Sequence, residues 1–258
     1  MKLEAEHLHF GYDAARTILE DVSFALGGTG VYCILGRNGT GKSTLLKCLV
    51  GELHAAGRIL FDGKERAAYS DREIAQRVAY IPQSHTPTFP FRVLDVVMMG
   101  RTAHMAYFAS PGAREEEIAR HHMNFLGIAH LAEQPYTNIS GGERQLVMLA
   151  AALTQQPAFL ILDEPTAHLD FGNAQRFLDL VLRLNAEGLG ILMTSHFPDH
   201  ALYLGAETLV MKDKKLWKHG AAADVIDEES MTALYGLPVH IGSIGTRSVC
   251  VGGEIGER

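Results

Sequence analysis

Val22, Phe24 and Leu26 recur at every second position, the period of a half-buried strand. Residues 31–35 are apolar throughout, as a strand buried on both faces would be, and they lead into a cluster of glycines. Over 42–52 the period lengthens, with Leu45, Leu46, Leu49 and Val50 marking one face of a helix. Further strands are predicted at 57–63 and 77–81. Prolines and aromatics at 87–91 break the chain, and 89–157 then reads mostly helical. There 114–126 is charged and amphipathic, and 141–155 sets Leu146, Leu149, Ala150 and Leu153 at i, i+3, i+4 and i+7. Strand–helix alternation returns at 159–163, followed by a helix facing inward through Phe177, Leu180, Val181 and Leu184. Strands at 189–194 and 207–211 and a hairpin turn at 212–215 follow. This alternation predicts an α/β sheet covered by helices. It divides the chain into a core of 1–88 with 158–220, a helical insertion at 89–157, and a closing segment at 221–258 with a short helix and a loose tail after about Ser243.

Composition narrows the class. The 258 residues are 47% hydrophobic and 21% charged, which excludes disorder and allows a sizeable core without disulfides. The formal charge of −7, with no basic stripe, argues against nucleic acid as a partner. No run approaches the roughly 20 apolar residues of a membrane span, and MKLEAEHLHF lacks the basic-then-apolar pattern of a leader, so a soluble chain is expected. Cys33, Cys48 and Cys250 show no C-x-x-C spacing and suit reduced thiols. Glycine is the one raised count, 26 in all, and Gly27, Gly28, Gly30, Gly36, Gly39 and Gly41 fall close together.

That cluster contains Gly36-Arg37-Asn38-Gly39-Thr40-Gly41-Lys42-Ser43, which satisfies G-x-x-x-x-G-K-[ST] between a predicted strand and a predicted helix. Glycines let successive N–H groups turn inward around phosphate oxygens, and the helix adds its positive end. Lys42 suits the β- and γ-phosphates of a nucleotide and the Ser43 hydroxyl suits Mg2+; Asn38, Gly39, Thr40 and Thr44 complete the cradle. Phe159-Leu160-Ile161-Leu162 buries a strand that delivers Asp163 as a second magnesium anchor, and Glu164 stands next to polarise a water. His7/His9 and His121/His122 have metal-pair spacings but no cysteine or carboxylate framework, and read as solvated or packed histidines.

Ile139-Ser140-Gly141-Gly142-Glu143, followed by Arg144-Gln145 and lying about twenty residues before Asp163, resembles the LSGGQ signature of ABC-type ATPases. The order of the other motifs agrees: Tyr12 matches the adenine-stacking aromatic, Gln83 the Q-loop glutamine and metal contact, Ala167-His168-Leu169-Asp170 the D-loop, and His196 the switch histidine. The resemblance covers residues 3 to about 240. It implies a P-loop NTPase cassette: a RecA-like core with an N-terminal antiparallel β subdomain and an inserted all-helical subdomain. It also implies ATP and Mg2+ as cofactors, catalysis through Glu164, His196 and Gln83, and nucleotide contacts from Ser140, Gly141, Gly142, Glu143 and Asp170. A second copy of the chain is the implied partner, since a signature closes over another subunit's P-loop in the family. The sequence departs from the pattern at Ile139, Glu143, His168 and Ala151, the last at a position often occupied by arginine.

Residues 93–104, 127–132 and 234–239 resemble the ATPase subunits of importers for iron chelates, haem, cobalamin, molybdate and tungstate. The resemblance implies a peripheral protein at the cytoplasmic face of the membrane. It would be held there by permease subunits and served indirectly by a substrate-binding protein. A coupling helix of the permease would dock near residues 83–107, gripped by His85, Phe89, Phe91, Met98, Met99, His104, Met105 and Tyr107, although Met98 and Met99 suit the insertion's own core equally well. A free-standing exporter ATPase remains an alternative, as does a DNA-repair or chromosome ATPase, whose long coiled-coil insertions this chain lacks.

Overall fold

The structure is a computed structural model that describes residues 1–13, 16–83, 89–106 and 109–254. In chain order the elements are β1 (Leu3–Gly11), β2 (Thr17–Leu26), β3 (Val31–Leu35), α1 (Lys42–Val50), β4 (Ala56–Phe61), β5 (Lys64–Glu65), α2 (Asp71–Ala75), β6 (Val78–Ile81), α3 (Val93–Met98), α4 (Ala113–Phe125) and α5 (Gly141–Thr154). They continue as β7 (Phe159–Leu162), α6 (Phe171–Ala186), β8 (Gly190–Ser195), α7 (Pro198–Leu204), β9 (Glu207–Lys212), β10 (Lys215–Ala221), α8 (Ala222–Val225), α9 (Glu228–Tyr235), β11 (Val239–Ile244) and β12 (Arg247–Gly252). They fall into two compact units, Met1–Arg66 with Leu178–Arg258, and Ala67–Phe177.

In the first unit an antiparallel sheet runs β2-β1-β4-β5, with Leu3 opposite both Leu26 and Phe61. Along β2 the alternating positions Val22, Phe24 and Leu26 are buried, as their period requires. A second layer places β3 between β8 and β9, parallel to both, with Cys33 facing Met193 on one side and Thr208 on the other. Both β3 and β8 are buried at every position, which is why β3 reads as an unbroken apolar run and β8 carries Ile191, Leu192 and Met193 in succession before the buried Thr194 and Ser195. Because β3 and β8 run in the same direction, the loop after Leu35 and the link after Ser195 leave the same end of the sheet.

Residues 239–252 correct one expectation. Instead of a loose tail after Ser243, β11 and β12 form a hairpin, with Ile244 opposite Arg247, packed against α9 and α7. The Cys250 N–H donates to Asp199 Oδ1 at 2.8 Å, and the Arg247 guanidinium lies 4.0 Å from the Tyr203 ring centre. The polar, glycine-rich sequence gives no sign of this because the anchoring groups belong to α7, more than forty residues earlier.

In the second unit β6 and β7 pair in parallel, Ile81 against Leu162. Helix α5 packs on β6, and with α3 and α4 it encloses an apolar core that includes Leu94, Val97, Met123, Leu131 and Val147. Ala151 of α5 faces Gly100, whose Cβ would fall 2.1 Å from the Ala151 carbonyl, so close helix approach depends on glycine there.

Candidate nucleotide-binding site

The phosphate loop leaves β3 at Leu35 and enters α1 at Lys42. Gly39 and Gly41 take left-handed φ values of 79° and 98°, which L side chains resist. Gly36 has an ordinary φ but no room: a Cβ would lie 2.8 Å from both the Met211 carbonyl and Thr40 Oγ1. Lys42 is only 4% exposed, and its ammonium donates to the Gly36 carbonyl at 2.9 Å and the Arg37 carbonyl at 3.2 Å. A buried cation held by loop carbonyls inside a cradle that a Cβ would fill suits phosphate oxygens. Asn38 occupies the turn, Thr40 Oγ1 donates to the Arg37 carbonyl at 2.9 Å, and Ser43 is half-buried in the first turn of α1. Thr44 is buried, with its Oγ1 3.4 Å from the hydroxyl of Tyr12. Tyr12 itself is 55% exposed and meets Phe10 edge-on at 5.1 Å, which leaves ring surface for a base to stack on. His196 follows β8 in the same unit, its ring 4.0 Å from that of Phe197.

The second unit brings other expected residues together. Asp163 is buried at the end of β7, its N–H donating to the Ile81 carbonyl at 2.9 Å. Glu164 has a left-handed φ of 45°, a strained backbone at the position expected to carry the chemistry. Its Oε2 accepts a hydrogen bond of 3.0 Å from Gln83 Nε2. These two side chains line a cleft of about 200 Å3 with Gly141, Gln145, Met148 and His168. His168 enters the cleft from the D-loop match, whereas the sequence marks Gln145 only as following the signature, with no role of its own. Gln145 stands four residues after Gly141, one helical turn along the same face, and that spacing was the available signal.

The signature opens α5. Ile139 is buried in the helical core, so its task is packing and leucine is not required. Ser140 caps the helix: its hydroxyl accepts from the Glu143 N–H at 3.3 Å, and Glu143 Oε2 accepts from the Ser140 N–H at 2.8 Å and hydroxyl at 2.7 Å. The Ser140 hydroxyl and N–H hold the Glu143 carboxyl below its usual range. Glutamate therefore does the capping work here that glutamine would do. Gly141 has open space where a Cβ would sit, and Gly142 only an ordinary contact of 3.7 Å with Leu169. Asp170 is engaged elsewhere, accepting 2.8 Å bonds from the N–H and Nδ2 of Asn173 at the start of α6.

Phe91, Met98, Met99 and Met105 line a groove of about 1280 Å3 in this unit, joined by Arg72, Arg92, Asp95 and Glu116. Met98 also packs against the helical core, whereas Met99 is 51% exposed. Phe89 is exposed beside Phe91, and His104 is tied to the Gln155 carbonyl. Gln83 lines the smaller cleft with Glu164, not this groove. His85 and Tyr107 lie outside the described residues. His7 is 2.7 Å from Asp21, His9 accepts from the Asp21 N–H, and no group of three metal-type side chains occurs among the described residues. No helix among the described residues is long and apolar enough to cross a membrane.

The profile of the ABC transporter family matches residues 19–167, more than half of the chain. The hemin import ATP-binding protein HmuV of Gloeobacter violaceus is 38% identical over 232 residues, covering 87% of this chain and 84% of that protein. The molybdate import ATP-binding protein MolC of Haemophilus influenzae is 32% identical over 238 residues, covering 92% and 89%. Among solved structures, a chain of a transporter described as metal-chelate type, in an inward-facing conformation, superposes with a TM-score of 0.86 at 29% identity over 98% of both chains. The α/β P-loop cassette expected from the motifs is thus the fold. The chain belongs to the ABC transporter family, as one of its ATP-binding, ATP-hydrolysing subunits.

Proposed function

We propose that two copies of this chain close head to tail around two ATP molecules. Their closure would drive a permease that imports a metal-chelate-type substrate: an iron–siderophore, haem, cobalamin, molybdate or tungstate. One observation carries the two-chain arrangement. Gly141 and Gly142 begin a 14-residue helix, yet neither needs glycine for its φ or for packing within its own chain. Glycine costs a helix up to about 1 kcal/mol relative to alanine, so bare backbone here serves close approach from outside the chain. The N–H groups of a helix start favour an anion, and ATP on another copy's phosphate loop supplies one. Phe171, the first residue of α6 directly after Asp170, is 91% exposed and adds apolar surface beside the D-loop segment.

In this reading Tyr12 stacks on the base, and the N–H groups of 38–44 and Lys42 hold the phosphates. Mg2+ on Ser43, Gln83 and Asp163 would neutralise charge on the phosphoryl oxygens. Glu164 accepts the proton of the attacking water, oriented by its bond from Gln83. His196, Asp170 and the Ser140–Glu143 segment complete the closed site. The groove of Phe91, Met98, Met99 and Met105 receives the permease. Its methionines adapt to an apolar helix face, and its charged rim gives that helix a register. A substrate-binding protein delivers the cargo on the far side of the membrane.

The test is transport in vesicles that hold the permease and this subunit. The parent chain should drive uptake of the chelate. Glu164→Gln should lower both uptake and phosphate release by at least about a hundredfold. Uptake that continues in Glu164→Gln would end this reading.

A further inference from the structure

The link between β8 and α7 is only His196 and Phe197, and neighbouring groups hold its backbone from two directions. The Phe197 N–H donates to Ser195 Oγ at 3.0 Å, and that oxygen lies 3.1 Å from His200 Nδ1. On the other side the His196 carbonyl accepts from the Tyr235 hydroxyl at 2.9 Å. The pairing of β8 with β3 ends at Ser195, so this carbonyl lies beyond the reach of that ladder. Tyr235 closes α9, and α9 is itself fixed. Its N-cap Asp227 accepts bonds of 2.6 Å from the N–H and hydroxyl of Ser230, and Lys218 of β10 reaches Asp227 at 3.1 Å. Gly236, in a left-handed conformation, ends the helix directly after Tyr235. Burial raises the tyrosine's pKa, so the hydroxyl remains a donor across the working pH range.

The imidazole of His196 goes where its backbone puts it, and a displacement of about 1 Å in such a group can cost two orders of magnitude in rate. We infer that Tyr235 is a positioning residue for ATP hydrolysis: through the His196 carbonyl it presets the switch histidine, an assignment that rests on the proposed role of His196. The closing segment of the chain then has a part in the ATPase site although it carries no nucleotide-binding motif.

Tyr235→Phe keeps the ring and removes only the hydroxyl. We expect kcat for ATP hydrolysis to fall about fivefold, equivalent to about 1 kcal/mol, the usual worth of one hydrogen bond. KM for ATP should hold, because Tyr12 and the phosphate loop are untouched. Leu234→Val, in the buried face of the same helix, supplies the structural control: it should lower Tm without lowering kcat per folded molecule. His196→Ala, assayed alongside, should be inactive. Parental kcat in Tyr235→Phe with an inactive His196→Ala overturns the positioning role and leaves the role of His196 intact. An active His196→Ala overturns both. A loss in Tyr235→Phe that Leu234→Val reproduces at equal Tm would make Tyr235 a packing residue and end the inference.

Discussion

Gly141 isolates what a single residue contributes to binding and not to folding. With no atom within 4 Å of its missing Cβ and no left-handed φ, an alanine would fit within the chain and favour the helix. We therefore expect Gly141→Ala to hold or raise Tm while lowering ATP hydrolysis at least about tenfold, because the added methyl meets the nucleotide on the facing copy. Thermal melting and phosphate release on the same preparation check this; full hydrolysis with a stable fold would contradict it. Gly36 is the opposite case, since its missing Cβ is excluded by the Met211 carbonyl of its own chain. Both kinds are legible in a sequence when chemistry demands fixed types at fixed spacing, as in Gly36-x-x-x-x-Gly41-Lys42-Ser43 and Ser140-Gly141-Gly142. Lys42 closing on the Gly36 and Arg37 carbonyls is a property of the folded loop and was not legible. Neither was the bond from Tyr235 to His196, which joins residues 39 positions apart with no pattern between them.

At the scale of elements, periodicity located the buried strands β3 and β8 and the amphipathic helices, because burial imposes it directly. The hairpin β11–β12 escaped because Asp199 and Tyr203 of α7 hold it from outside its own sequence. Cap chemistry adds a pH dependence. The Ser230 hydroxyl and N–H, with Lys218 of β10, lower the Asp227 carboxyl from 3.8 to about 2. A carboxyl depressed in the folded state stabilises fully above its unfolded pKa and loses that contribution as pH falls through its folded value. The contribution of Asp227 is therefore intact above about pH 4 and gone near pH 2. Because the side chain is 45% exposed, it is worth less than about 1 kcal/mol after solvent screening. Asp227→Asn keeps an acceptor for the Ser230 N–H and removes the charge. Its Tm should fall below the parent's at pH 5 to 7 and converge with it towards pH 2; a difference that persists unchanged at pH 2 would contradict the assignment.

For the whole molecule, the family, the cassette fold and the order of its motifs were all legible, because phosphate binding constrains residue type so strongly. The groove's membership was legible only in part. Met98, Met99 and Met105 are apolar by residue type, but which of them faces a groove and which supports the helical core depends on packing. Coupling two such subunits through nucleotide is the central claim, and sedimentation of Glu164→Gln with and without ATP-Mg measures it most directly. Without nucleotide the variant should sediment as a 28.2 kDa monomer. Saturating ATP-Mg should convert it to a dimer that persists, since the variant holds ATP without cleaving it. A chain that binds ATP and still sediments as a monomer would contradict the account.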